Sequence, residues 1–157
     1  MVGLLGGLCL ASFWPQETVQ AVATDRDDRF AIATVEVGYA QPEAVFVLDF
    51  LTGRLTGALL NQQSANFTNF YFRNVAADFQ IDAEAATKAK YVIIPGRSEI
   101  PSARGTTMAV GTIYIAEMTS GKVVAYSFPF RTSRQPVAPV QIEPFAFFPF
   151  REAATTN

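Results

Sequence analysis

Hydrophobic and polar positions alternate along this chain in short runs broken by glycine, proline and charge, the pattern of a β-rich domain. After a charged turn at Asp25-Arg26-Asp27-Asp28-Arg29, residues 30–37 (FAIATVEV) are small or β-branched and predict a strand. A loop with Pro42 follows. Residues 44–50 predict a second strand, and their near-continuous hydrophobicity predicts burial on both of its faces. Thr52-Gly53-Arg54 predicts a tight turn, glycine supplying the positive φ that such turns demand, and residues 55–60 predict the return strand. Residues 66–73 (NFTNFYFR) predict a fourth. The pattern then changes. Asn74 is a candidate N-cap before VAADFQ, and Asp82 precedes AEAATKAK, in which Glu84 stands four residues before Lys88. A broken helix, or two short ones, is expected over 75–90.

Two segments are versions of one another. Residues 44–60 (AVFVLDFLTGRLTGALL) and 112–128 (TIYIAEMTSGKVVAYSF) match in kind at a constant offset of 68 (112 − 44). Each has an apolar run, a carboxylate (Asp49 or Glu117), a Thr/Ser-Gly-Arg/Lys turn at Gly53 or Gly121, and a second apolar run. A leading strand, YVII at 91–94, is expected to end at Pro95-Gly96. Phe30 aligns with Tyr91 at an offset of 61 (91 − 30), so the second unit carries seven more residues (68 − 61) before its hairpin. They fall in a Ser-, Pro-, Arg- and Gly-rich loop at 97–107 that includes Arg97 and Arg104. Insertions in a repeat mark loops on one face, often a binding face.

The tail repeats on a smaller scale: Phe128-Pro129-Phe130-Arg131 recurs as Phe148-Pro149-Phe150-Arg151, twenty residues on. Pro136, Pro139, Pro144 and Pro149 make a helix unfavourable and confine any strand there to a sheet edge. Phe145, Phe147, Phe148 and Phe150 place four rings within six residues, and such a segment is expected to be buried. Either it closes its own core as a C-terminal strand or it docks on a partner. In the second case Phe128 and Phe130 join those four as interface candidates.

The strand, carboxylate, Gly-containing turn and strand in VFVLDFLTGRL and IYIAEMTSGKV resemble the central hairpin of a β-propeller blade, most closely those of quinoprotein-like and related bacterial propellers. The whole chain is similar to short exported bacterial proteins with one or two such blades, a resemblance that brings no activity with it. It implies a mainly β fold: two propeller-like antiparallel units (about 30–73 and 91–130) within a domain at 24–130. A short helical insert (about 74–90) and a Pro/Phe-rich C-terminal extension (131–157) complete it. Neither unit carries the tryptophan or the metal and cofactor groups of the catalytic members. Two blades cannot close a ring, because propellers have about four to eight. Open sheet edges invite pairing with another chain, and three copies would give a six-bladed ring.

Composition narrows the function. At 157 residues and 17.1 kDa the chain suits one domain with a real core. Charged residues make up only 17%, against about 25% in soluble domains, so surface is left for a large core or for partners. The net charge of −2 is spread out and gives no footprint for nucleic acid. Histidine is absent, which removes the usual acid–base group and the commonest metal ligand. Cys9 is the only cysteine, so intrachain disulfides and Cys-rich zinc sites are excluded. Residues 2–14 (VGLLGGLCLASFW) form an apolar run of the length of a signal-peptide core, and Ala21-Val22-Ala23 offers a small-x-small cleavage site, although no positive charge precedes the run. Residues 1–23 are therefore read as a signal peptide or an apolar anchor, and the chain as exported to the periplasm or cell envelope. Membrane contact is expected only through that segment if it is uncleaved. Leu8 stands where a lipoprotein site at Cys9 would need a small residue.

Candidate chemistry is sparse. Asp49 and Glu117 are placed to accept backbone N–H groups from their turns. Asp25, Asp27 and Asp28 could attract calcium but lack the glycine and bidentate glutamate of a calcium loop, and Arg26 and Arg29 offset their charge. No lysine is placed beside a serine to activate it. SARGTT at 102–107 lacks a phosphate loop's lysine and glycine spacing, and Asn66-Phe67-Thr68 matches a glycosylation acceptor. No catalytic, cofactor-binding or metal residue is assigned, and no cofactor. The sequence is read as a non-enzymatic structural or scaffolding protein of the envelope that self-associates through open β-edges and its aromatic tail, with an envelope protein as a possible partner. The rival reading is a monomeric binding module that grips a ligand with the 97–107 loop. A carboxylate-only enzyme is the third.

Overall fold

The computed structural model describes residues 24–26, 28–81, 85, 88–102 and 105–151, and they are mainly β. In chain order the strands are β1 (Thr24–Arg26), β2 (Phe30–Val35), β3 (Ala44–Asp49), β4 (Arg54–Asn61), β5 (Asn66–Asn74) and, after a helical turn α1 (Val75–Asp78), β6 (Tyr91–Arg97). Then come β7 (Thr107–Met108), β8 (Gly111–Glu117), β9 (Lys122–Tyr126), β10 (Pro129–Phe130), β11 (Val140–Gln141) and β12 (Pro144–Pro149). The segment 1–23, with its signal-peptide or anchor reading and Cys9, lies outside the described residues, as do Arg104 and most of 82–87.

Two larger antiparallel sheets result, neither closed on itself. The first runs β1-β2-β3-β4-β5, a meander, with β11 added parallel to β5. The second runs β12-β9-β8-β6, and β7 and β10 pair separately. β2 lies alongside β6 and β8. There the Val110 and Gly111 amides donate to the carbonyls of Val37 and Glu36 at 3.1 and 3.0 Å. Gly111 permits this approach, since a Cβ there would stand 2.3 Å from the Glu36 carbonyl oxygen. One core forms between the inner faces of the sheets. The first sheet contributes Ala31, Ala33, Phe46, Leu48 and Leu55, and the second Ile93, Ile113, Ile115 and Val124, all buried. Phe46 stacks on Tyr71 at 5.6 Å, and Phe128 meets both rings edge-on at 5.0 and 5.1 Å.

The hairpins that repeat in sequence also repeat in hydrogen bonding. Phe30 pairs with Asp49 and Asp49 with Arg54; Tyr91 pairs with Glu117 and Glu117 with Lys122. The Phe50 amide donates to Arg29 at 2.8 Å, as Met118 does to Lys90 at 2.9 Å. The Val75 amide donates to Gly53, as Phe150 does to Gly121, both at 2.8 Å. β12 thus occupies in the second sheet the place β5 holds in the first, reached through the tail instead of a short turn.

Several expectations need correction. β6 continues through Pro95 and Gly96 to Arg97. It is an edge strand, where a missing N–H costs no ladder bond. Only Val75–Asp78 and Ala85 are helical among the described residues of the expected helix; Gln80, with φ of 59°, turns the chain away. β3 is not buried on both faces: Ala44, Phe46 and Leu48 are sealed, while Val45 and Val47 are half-buried. The tail does pair as an edge strand, but Phe145, Phe147 and Phe148 remain exposed: β12 borders the second sheet, Phe145 falls at a register shift, and Phe148 pairs with Val123 on the sheet's outer face.

Candidate functional site

The two turn carboxylates do the same local work. Asp49 Oδ1 accepts the Leu51 and Thr52 amides at 2.9 and 3.4 Å, and Oδ2 accepts the Thr52 hydroxyl at 2.8 Å. Glu117 Oε1 accepts the Thr119 amide at 2.9 Å and the Lys90 amide at 3.2 Å, and Oε2 accepts the Ser120 amide at 2.5 Å. Gly53 and Gly121 complete the turns with φ of 62° and 70°. Burial pushes each carboxyl up, but the donated hydrogen bonds outweigh it and hold both below the ordinary carboxyl range. Both therefore stay charged acceptors, fitted to fastening turns and unsuited to delivering protons.

Beside Glu117, the buried Tyr91 hydroxyl is pushed up to about 12, first by burial and then by the Glu117 charge. Neither it nor the buried Tyr71 hydroxyl has a hydrogen-bond partner among the described residues. A polar cluster missed by the sequence reading joins distant parts of the chain. The Tyr126 hydroxyl donates to Asp78 Oδ2 at 2.8 Å, Arg73 donates to both Asp78 oxygens, and Arg73 Nη1 meets Glu143 at 2.6 Å. The hydrogen bond to Asp78 raises Arg73 further above its ordinary range, and burial raises Tyr126. No spacing announces this set, because Tyr126 lies 48 residues from Asp78 and Glu143 lies 70 from Arg73. It ties the tail and α1 to both sheets.

Of the two binding-loop candidates, Arg97 alone lies among the described residues. Arg97 is held by Glu36 at 3.1 Å and Glu99 at 2.6 Å, which leaves its guanidinium largely committed. Gly105–Thr107 border a groove of about 630 Å³ whose far wall is Val137 to Val140. The Asn69 side chain at its base exchanges two 3.0 Å hydrogen bonds with the Arg131 backbone, so its polar atoms are occupied. A cleft of about 510 Å³ lies over Phe79, Ile81 and Glu117. Among the described residues no group of three or more His, Cys, Asp or Glu could hold a metal ion, and no helix is long and apolar enough to cross a membrane.

The aromatic candidates separate. Phe128 is sealed in the chain's own core and has no surface to offer a partner. Phe130 and Phe150 are half-buried, Phe130 packed against the core. Phe145, Phe147 and Phe148 stand out on β12, Phe147 being 60% exposed. They do not stand alone. The outer face of the first sheet presents Phe30, Ile32, Val45 and Val47, and that of the second presents Ile94, Tyr114, Met118 and Phe148, all partly or well exposed. These faces are the most distinctive chemistry of the described surface. No protein-family model, curated protein or solved structure matches the chain.

Proposed function

We propose that this is a non-enzymatic structural or scaffolding protein that self-associates, built of two propeller-like blades and working in the cell envelope after export. The observation that carries this reading is the apolar outer face on each sheet. An exposed, contiguous apolar surface marks an interaction site, and strand β3 has the composition of a strand covered on both sides. The turn carboxylates and the Tyr126–Asp78–Arg73–Glu143 cluster are occupied in holding the fold together, which favours a structural role over catalysis. The edges are poorer contacts than the sequence suggested. β1 and β11 are three and two residues long, β6 carries Pro95, and β12 carries Pro144, Pro149 and a register shift. Short strands, prolines and bulges are the devices that discourage edge pairing. The aromatic tail contributes through Phe148, which continues the outer face of the second sheet.

Light scattering on a sizing column tests the reading. A discrete multiple of the 17.1 kDa chain mass is expected, less any cleaved segment, and a monomer at micromolar concentration overturns it. The groove beside Gly105–Thr107 favours a second reading, the monomeric binding module, and a monomeric mass would move the proposal there.

A further inference from the structure

We infer that copies of the chain stack head to tail, the outer face of the second sheet of one copy covering the outer face of the first sheet of the next. This rests on the self-association proposed above and assigns the surfaces that meet. The repeat offsets carry the argument. Adding 61 to a residue of β2, or 68 to one of β3 or β4, gives its counterpart in β6, β8 or β9, and the paired registers confirm these matches. The counterparts of Ala33, Phe46 and Leu55, inner-face residues of the first sheet, are Ile94, Tyr114 and Val123, which lie on the outer face of the second. The counterparts of Ile93, Ile113 and Ile115, inner-face residues of the second sheet, are Ile32, Val45 and Val47, on the outer face of the first. Within one chain the sheets therefore meet through unlike faces. One copy of each kind of face is used and one of each is left over.

A contact between unlike faces can be repeated without limit, since the second sheet of any copy presents the face that the first sheet of the next lacks. The exposures fit that repetition. Ile93 is 2% exposed against the first sheet, while its counterpart Ile32 is 48% exposed; Ala33 is 0% exposed, while its counterpart Ile94 is 54% exposed. Inside the chain, Phe50 stacks on Tyr91 at 6.4 Å. Their counterparts, Met118 and Phe30, both lie open at opposite ends of the molecule's stack. A second copy brings those two together, a thioether against an aromatic ring. Charge does not oppose it: Ile32, Val45 and Val47 are neutral, as are Ile94, Tyr114 and Val123. The charged Asp49 and Arg54 on the first sheet's outer face are cross-strand partners of opposite sign, as their counterparts Glu117 and Lys122 are on the second sheet's inner face. The stack forms a ring if the rotation between copies closes, with three copies supplying six sheets.

The test uses two variants of the expressed chain, Ile32→Asp on the outer face of the first sheet and Ile94→Asp on that of the second. Each places a carboxylate in one contact and leaves the other face intact. Each variant alone is expected to be monomeric by light scattering, and an equimolar mixture is expected to give a dimer, because only one competent pair of faces remains. If circular dichroism shows either variant unfolded, Phe30→Asp and Met118→Asp form the second pair. A wild-type monomer overturns both this inference and the self-association beneath it. A wild-type assembly that neither variant dissociates leaves self-association standing and overturns the head-to-tail contact. So does a mixture that stays monomeric, or one variant alone that still assembles.

Discussion

The first and second sheets use one hairpin design in opposite surroundings. Phe46 of the first lies at 0% exposure between Tyr71 and Phe128, whereas its counterpart Tyr114 of the second stands half-buried on the outside. The backbone pairing around them is the same: Phe46 pairs with Gly57, and Tyr114 pairs with Ala125. What differs is what lies above the ring. A strand's alternation fixes which residues share a face, while the stacking of the two sheets decides which face becomes core. Equivalent positions thus have unequal energetic weight, and the inequality can be measured.

The largest effect is expected from truncating that pair. Phe46→Ala removes a fully buried ring and should cost about 3–5 kcal/mol, read as a fall in the denaturant midpoint at fixed protein concentration. Tyr114→Ala should cost about 1 kcal/mol or less in the folding of one chain while weakening assembly. Equal costs would mean that Tyr114 is already covered within the chain, and the division into inner and outer faces would be wrong.

The two turn glycines sharpen the comparison at a smaller scale. Gly53 and Gly121 share a positive φ, so alanine is strained at either. Their surroundings differ. A Cβ at Gly53 would lie 2.7 Å from Ala76 Cβ and 3.1 Å from the Ala76 amide nitrogen, fixed atoms at the start of α1. At Gly121 it would meet Arg151 Cγ at 2.4 Å and Cβ at 2.8 Å, on an exposed residue in the turn after β12 that must shift to make room. Gly53→Ala is expected to cost about 2–4 kcal/mol and Gly121→Ala about 1–2, compared by thermal and denaturant unfolding. Reversal of that order would show that Arg151 is pinned more firmly than its side-chain hydrogen bond to the Thr119 carbonyl and its 3.4 Å backbone hydrogen bond to Gly121 imply.

Strands β2 to β5 of the first sheet were legible because they follow one another as a meander: Gly53 marks the tightest turn, and the runs around it keep strict register. β1 was not, since Asp25 and Arg26 read as a charged turn. The carboxylate-and-glycine turns were equally legible, since Asp49 and Glu117 each fasten a turn within three residues of themselves; the Lys90 amide on Glu117, 27 residues away, was not. The second sheet was only partly so. Its fourth strand arrives 18 residues after β9, past a tail that first lays β11 on the other sheet. Nothing local distinguishes Phe128 from Phe148, which sit in the same FPFR tetrapeptide and end respectively in the core and in the open. Arg73, Asp78, Tyr126 and Glu143 were invisible for the same reason, because tertiary packing alone brings them together. The outer faces were misread: the unbroken apolar run of β3 predicted burial on both sides, and the chain buries only one, leaving Val45 and Val47 half-buried.

The turn carboxylates make the finest comparison. Glu117 is 1% exposed and accepts three backbone amides, one of them from Lys90 beyond its own hairpin. Asp49 accepts its hydrogen bonds where solvent reaches it. Glu117→Gln is expected to cost about 2 kcal/mol near neutral pH, and Asp49→Asn under about 1. Both carboxyls are held below their ordinary values of 4.5 and 3.8 in the folded chain. The unfolded chain therefore takes up protons first as pH falls. Their stabilisation is complete above those ordinary values and is lost as pH drops through the lower, folded ones. Wild-type stability should decline on acidification below about pH 5, and Glu117→Gln should flatten that decline more than Asp49→Asn does. An unchanged acid limb in Glu117→Gln would show that the hydrogen bonds Glu117 accepts from its turn are not what acid removes.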